Sequence, residues 1–495
     1  MLFNSFSFLI FFPVIVILYY LIPHKWRTVL LLAASSYFYM AFVPKYVLIL
    51  FFLITVDFFL AKFMEKKEGR ERKIFLIGSI LANLGILFVF KYFNFFNENI
   101  AVLARFLHWN YSPLLIQIIL PLGLSFHVFQ SLAYVIEVYR GRYQAEKNFL
   151  TYALYVMFFP QLVAGPIERP NHLLPQFKFE HKLDVQNLKK GFERILWGLF
   201  KKIVIADNLA VYVDQVYLHP HDYSGLTLLV ATFFFAFQLY CDFSGYSDIA
   251  VGSARVLGFD LMENFNYPYL SRSMAEYWRR WHISLSNWLR DYLYYPLALS
   301  IKAGARIKLY WALFITMVLI GLWHGANWTF VAFGAIHGLY MIVGQATKNW
   351  RRRLAEVLNL SRLGRLYYTW QIAATFTMAS IGFVFFRAGS LSDAVYIITR
   401  SLYGVVNFFG GINTPAASSD FFNLLLLDGQ GKRNFVFLLG SVLFFIVAEL
   451  ISYKKTLAAF RARWPCIQWL LYFAAILGIM NLGITHEIPF IYFQF

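Results

Sequence analysis

The chain has 495 residues, of which 60% are hydrophobic and 20% aromatic, with only 14% charged. Soluble domains are roughly 45–50% apolar and about 25% charged, so this composition excludes an ordinary soluble protein and suits roughly ten or more membrane spans. The formal net charge is +18, but the basic residues fall mostly in short loops between apolar runs, which positive-inside orientation explains better than a nucleic-acid partner.

Apolar segments are predicted at about 6–22, 28–44, 46–63, 74–96, 113–138, 148–164, 195–216, 226–246, 307–324, 328–346, 367–386, 434–452 and 466–484. The first has no basic n-region and no clear cleavage site, and reads as a retained span. Orientation follows from the basic loops. Glu65 to Lys73 carries five Lys or Arg residues and is expected in the cytoplasm, which puts the N-terminus outside. Arg140-Gly141-Arg142 and the stretch from Lys348 to Arg365 are expected on the same side. Five segments separate those two, and an odd number cannot return the chain, so one fails to cross. Segment 148–164 is the candidate, because the basic stretch after it (Lys178, Lys182, Lys189, Lys190) also belongs inside. Three further spans carry the C-terminus outside. The expected layout is a single integral membrane domain over 1–495, with 388–432 as a long external loop and flexible connection.

Two stretches do not read as spans. Gly165-Pro166-Ile167-Glu168-Arg169-Pro170 opens a polar segment whose prolines disfavour a continuous helix. In 267–296, Met274, Tyr277, Trp278, Trp281, Leu285, Trp288, Leu289 and Tyr292 recur at helical spacing, with Arg279, Arg290 and Asp291 opposite. That pattern predicts an amphipathic helix at the membrane border. His282 falls at the edge of its apolar stripe. An interfacial aromatic anchor is the plainer reading of the pattern.

Gly321-Leu322-Trp323-His324-Gly325 interrupts a long apolar run, from about 309 to 343, with an imidazole. The run exceeds one helix and is read as two helices or a broken one. An ionisable group there is costly and marks a site or a satisfied core histidine. The topology makes this segment a hairpin entered from the cytoplasm. Asp242 and Asp248 end the 226–246 segment six positions apart and do not form an acid/base pair on a helix. Asp242 is expected to orient a histidine or an arginine, or to pair with a structural arginine. Gly245 between them is a possible helix break. His127 is a candidate cavity-lining residue. His337, thirteen after His324, reads as a core histidine. Cys241 and Cys466 suggest neither a disulfide framework nor a metal site. No phosphate-binding loop, nucleophile elbow or HExxH pattern is present.

Trp278-Arg279-Arg280-Trp281-His282-Ile283-Ser284 followed by Trp323-His324-Gly325 resembles the membrane-bound O-acyltransferase family. The resemblance extends to Pro160-Gln161-Leu162-Val163-Ala164-Gly165-Pro166-Ile167, to Tyr240 through Asp248, and to the closing Pro489-Phe490-Ile491-Tyr492-Phe493-Gln494-Phe495. The ending and length are similar to the alginate O-acetyltransferase-like bacterial branch.

The resemblance implies an all-α polytopic membrane protein, with about 11–13 helices around a central funnel. By motif, His324 corresponds to the principal active-site histidine and His282 to the second. The expected reaction moves an acyl group, here acetyl, from a cytoplasmic thioester to a hydroxyl of an envelope polysaccharide such as alginate. D-alanyl transfer to teichoic acid and peptidoglycan O-acetylation are the alternatives within the family. The donor is expected to be acetyl-CoA or an acyl carrier protein thioester, with no bound cofactor and no metal. An extracytoplasmic acyltransferase is the expected partner protein. The expected location is the bacterial cytoplasmic membrane. Trp281, Trp323, Asp242, Arg279, Arg280 and His127 are expected to support the site, with Arg279 and Arg280 placed to attract a phosphate-bearing donor. A proton-coupled transporter and a non-catalytic acyl conduit are the readings outside acyl-transfer chemistry.

Overall fold

In a bilayer every backbone polar group needs a partner within the protein, so long apolar runs fold as helices. The structure, a computed structural model, describes residues 1–116, 120–163, 165–302, 304–410, 431–454, 465–484 and 488–493. Among these, seven helices are long and apolar enough to cross a membrane, and no strand occurs. The protein is an all-α multi-pass membrane protein. The chain forms two compact units. One comprises Met1–Ile195 and Tyr246–Glu263, the other Leu196–Gly245 and Asn264–Gln494.

In the first unit, α1 (Phe6–Leu21) and α2 (His24–Met40) precede the adjacent pair α3 (Val47–Glu65) and α4 (Gly69–Leu87). A π-turn at Phe88–Tyr92 joins α4 to α5 (Phe93–Phe106), so 69–106 is one long helical rod. Asp57 of α3 is fully buried and accepts hydrogen bonds from Ser79 (2.5 Å) and Asn83 (3.0 Å) of α4. Polar groups shared in this way hold helices together where no hydrophobic gain between them exists. Among the described residues of the apolar segment predicted from 113, the helix is α6 (Leu124–Tyr139), with Gly123 before it in the left-handed region. The segment 148–164 yields α7 (Phe149–Met157), nine residues against the ~20 a span needs.

The polar stretch after α7 is pinned by Glu168. Its fully buried carboxylate accepts the Met262 amide (2.6 Å) and contacts His172 Nδ1 (2.6 Å). Two helices then take the chain through both units: α8 (Val185–Leu199) and α10 (Gly225–Val256). A π-helical stretch, Phe200–Ala206, leads from α8 into α9 (Asp207–Leu218). Gly245 does not break α10, which runs 32 residues. It marks a close approach instead, since a Cβ there would stand 2.8 Å from Gly198 O.

The second unit contains the region expected as one amphipathic helix over 267–296, and that expectation is corrected. The segment is broken into α11 (Met274–Arg280), α12 (Ile283–Leu289), a π-turn at Arg290–Tyr294 and α13 (Tyr295–Ser300). Next come α14 (Ala305–His324) and α15 (Trp328–Ala346), a tightly packed hairpin. The turn is set by Asn327, whose side chain accepts the Thr329 amide (2.9 Å) and caps α15. Small residues bring the two helices together: a Cβ on Gly321 would meet Phe330 O at 2.1 Å, and one on Gly334 would meet Met317 O at 2.2 Å. The remaining helices are α16 (Lys348–Val357), α17 (Arg365–Arg387), α18 (Leu391–Gly410), α19 (Gly431–Tyr453) and α20 (Pro465–Leu482). The expected loop 388–432 therefore opens with a 20-residue helix, while 411–430 lies outside the described residues. Its Gly and Ser content concealed an amphipathic run.

Candidate active site

His324 is the last residue of α14, and the chain leaves the helix at extended Gly325. The imidazole is 5% exposed and enclosed by aromatic rings. Trp323 lies 4.8 Å away between centroids, Phe386 of α17 at 5.1 Å, Tyr492 at 5.4 Å and Phe333 of α15 at 5.8 Å. No acidic ring partner or carboxylate stands among these four neighbours.

His282 is 1% exposed and sits in the break between α11 and α12. Its φ of 43° is left-handed, which an L-residue adopts at a cost of about 1–2 kcal/mol. The break has a definite cause. Asn266 donates its amide to Arg280 O (3.0 Å), and Ile283 donates its amide to Asn264 O (2.9 Å). Ser284 Oγ donates to Asn264 Oδ1 (2.6 Å). The 264–266 strand of chain thus takes over backbone groups that a continuous helix would have paired internally. The sequence expectation that His282 borders a continuous apolar stripe is corrected accordingly: the turn, not the stripe, aims its ring.

The two histidines share a neighbour. The Trp323 ring lies 6.2 Å from His282 and 4.8 Å from His324, so both imidazoles pack on a single indole. A second path of rings closes the circuit: Phe243 meets His282 edge-on at 4.7 Å and Tyr492 at 4.8 Å, and Tyr492 meets His324. The surroundings of both imidazoles are therefore aromatic and buried, the setting in which a neutral imidazole is favoured. For His282, outside the spans, burial pushes the pKa down to about 3, so it is uncharged at neutral pH.

Among the described residues Asp242 pairs with a lysine and a backbone amide, and with no arginine or histidine. Its Oδ1 lies 2.8 Å from Lys202 Nζ, which also meets Asp207 at 2.7 Å, and its Oδ2 accepts the Ile491 amide (2.8 Å). The expectation that Asp242 orients a histidine or an arginine is corrected. It ties the C-terminal segment to α10, one residue from Tyr492. Sequence reasoning had no means of finding this link, since 249 positions separate the partners. Tyr492, Phe386 and Lys202 are the site residues that spacing and periodicity missed; only the closing motif hinted at the first.

The other sequence candidates have partners of their own. Trp281 stacks on Tyr277 (5.6 Å) and packs edge-on to Phe265 (5.1 Å), building the wall beneath the break. Arg280 is engaged by Glu276 (2.7 Å) and lies over the Tyr453 ring. Arg279 instead lines a cavity of about 860 Å³ together with Arg290, Arg306 and Lys348. Trp278 and Ile320 line it too, and Ile320 precedes His324 by one helical turn, about 6 Å of rise. Trp278 Nε1 donates to His337 Nδ1 (3.3 Å), so His337 holds that wall. His127 belongs to the first unit, buried on α6, with Nδ1 3.2 Å from Val156 O. Among the described residues no cluster of His, Cys, Asp and Glu suits a metal ion.

An all-helical membrane protein with two buried imidazoles packed on one indole defines a class, the polytopic membrane proteins with a candidate histidine site. Comparison with known proteins then gives the family. Residues 145–386 match the model of MBOAT, the membrane-bound O-acyltransferase family. The chain is 38% identical to the "Probable alginate O-acetylase AlgI" of Azotobacter vinelandii, over 79% of this chain and 75% of that one. It is 33% identical to the "Peptidoglycan O-acetyltransferase" of Helicobacter pylori, over 76% and 73%. Similarity to the "Teichoic acid D-alanyltransferase" of Streptococcus thermophilus is 28%, over 47% and 58%. The chain belongs to the membrane-bound O-acyltransferase family, and it is an O-acyltransferase.

Proposed function

We propose that the protein transfers an acetyl group from a phosphate-bearing thioester donor to a hydroxyl of an envelope polysaccharide, with His324 as general base. The observation that carries this reading is the pair of buried imidazoles that both pack on Trp323. Neutral His324 takes the proton of the acceptor hydroxyl as its oxygen attacks the thioester carbonyl. The C–S bond breaks, and the imidazolium returns the proton to the leaving thiolate. Neutral His282 donates an N–H to charge that develops on the carbonyl oxygen.

The basic cavity supports a donor route. Four cations line it without any carboxylate, matching the phosphates of coenzyme A or of a carrier-protein phosphopantetheine. The acceptor class rests on two kinds of relative, both named for O-acetyl transfer. Alginate is the first polymer to test, peptidoglycan the second, and D-alanyl transfer to teichoic acid the third. A bacterial inner-membrane location, with both termini outside and a separate extracytoplasmic acyltransferase as partner, completes the proposal.

The test is reconstitution of the purified full-length protein with radiolabelled acetyl-CoA, or an acetylated carrier protein, and oligomers of each polymer. Label on an oligomer hydroxyl supports the proposal and names the acceptor. Thiol release with label passed only to an added partner protein would replace direct transfer by a relay. Uptake of label into vesicles without thiol release would overturn acyl transfer altogether.

A further inference from the structure

A second cavity, of about 510 Å³, opens between α11, α15, α16 and α17. Arg272, Arg279, Lys348 and Arg351 line it, and no carboxylate does. The guanidinium of Arg272 lies over the Tyr368 ring, and that of Arg351 donates to Thr347 Oγ1 (3.1 Å) and Gly344 O (2.6 Å). Among the described residues no side chain of the four pairs with a carboxylate, although the Arg272 amide donates to Glu276 Oε2 (2.9 Å). Neighbouring cations do: Arg280 has Glu276, Arg290 has Asp291 and Arg352 has Glu356. The uncompensated charge is therefore concentrated on the cavity, over a floor of Met274, Met341 and Met378. Charges gathered over an apolar floor call for an anion with an apolar body.

The surroundings specify which anion. α16 has no buried residue and lies between two helices apolar enough to span, α15 and α17. Trp350, Leu354, Val357 and Leu358 stand exposed on one of its faces, at i, i+4, i+7 and i+8. Such a helix lies in the membrane border with its apolar face among acyl chains. Leu354 and the exposed Trp370 line the same cavity, so its mouth meets that apolar face.

We propose that this cavity binds the phosphate headgroup of an anionic membrane lipid, with the acyl chains lying along Leu354 and Trp370. Guanidinium groups pair with phosphate oxygens through two parallel hydrogen bonds, and Lys348 adds a point charge. The lipid would brace the α15–α16–α17 corner. This site adjoins the proposed donor cavity and is told apart from it by two arginines. Arg279 and Lys348 line both cavities, whereas Arg272 and Arg351 line only this one.

Native mass spectrometry of the purified full-length protein tests it, after equilibration with equimolar phosphatidylglycerol and phosphatidylcholine. Retained phosphatidylglycerol should exceed phosphatidylcholine about tenfold. R272Q/R351Q should reduce that ratio to near parity, while R272K/R351K should restore most of it and show that charge, not folding, is read. R352Q, outside the cavity, should leave the ratio unchanged. Equal retention of both lipids by the parent protein would overturn the proposal. So would an unchanged ratio in R272Q/R351Q. If added coenzyme A displaces the lipid and R272Q/R351Q weakens coenzyme A binding equally, the cavity belongs to the donor and the lipid site fails while the acyl-transfer proposal stands.

Discussion

His324 closes a regular 20-residue helix, whereas His282 stands in a left-handed break between two seven-residue helices. The first is placed by local means: a hairpin turn capped by Asn327 and glycines that let α14 and α15 touch. The second is placed by tertiary means, through backbone hydrogen bonds from Asn264 and Asn266. The hairpin keeps its geometry as long as two neighbouring helices pack. The break keeps its geometry only while a distant piece of chain holds it open. A residue on a stable helix end suits the proton transfer itself. A residue on a strained turn is set to about the right angle at a cost the fold carries elsewhere.

The largest expected effect falls on the helix-borne residue. His324→Ala should reduce polymer acylation in cells at least about 100-fold, the usual scale for a lost general base, with membrane level unchanged by immunoblot. Near-normal acylation would remove His324 from the chemistry. For the break, His282→Gly and His282→Ala should each reduce transfer roughly 10- to 100-fold, the worth of a hydrogen bond to developing charge. The two should differ in stability, because glycine adopts positive φ freely. The Gly variant should resist thermal unfolding better than the Ala variant, by about 1 kcal/mol. Equal stability would mean that the left-handed turn is not strained.

Gly321→Ala tests the hairpin. Its new Cβ would meet Phe330 O at 2.1 Å and Gly334 N at 3.0 Å, backbone atoms that cannot step aside cheaply. Overpacking of this kind costs about 1–3 kcal/mol, seen as a lower unfolding temperature together with slower transfer. A variant as stable and active as the parent would show that the helices have room to separate.

The smallest effect concerns the first unit. The Glu168 side-chain hydrogen bond raises the pKa of His172, while burial raises that of Glu168 itself. A raised histidine stabilises fully below its ordinary value near 6.5, and that contribution is lost as pH rises through the folded value. The Met262 amide, bound to Glu168 Oε1, should therefore lose hydrogen-exchange protection as pH rises above about 6.5, beyond the intrinsic rate change. His172→Gln should flatten that dependence.

The hairpin was legible because apolar length, two glycines and one imidazole are local signals. The nine residues of α7 agree with the parity argument that segment 148–164 stops short of a span. The break at His282 was not legible. Trp278, Trp281, Leu285 and Trp288 keep helical spacing straight through it, and periodicity cannot register that Asn266 claims Arg280 O. Gly245 misled in the opposite direction, since a glycine that admits a neighbouring carbonyl looks like one that breaks a helix. Asp242 shows the same limit: a carboxylate at a helix end suggests a nearby arginine, while its partners are Lys202 and the amide of Ile491. Naming His324 as the central residue came from motif resemblance; burial cost alone left it balanced between core and site.

If the imidazole of His324 drives thioester cleavage and acyl transfer together, the two must fail together. The direct measurement is single-turnover thiol release from labelled acetyl donor by the reconstituted protein, parent against His324→Ala, with acceptor present at saturation. Thiol release and hydroxyl acylation should fall together, at least about 100-fold, while donor binding is retained. Thiol release at the parental rate in His324→Ala would contradict that role.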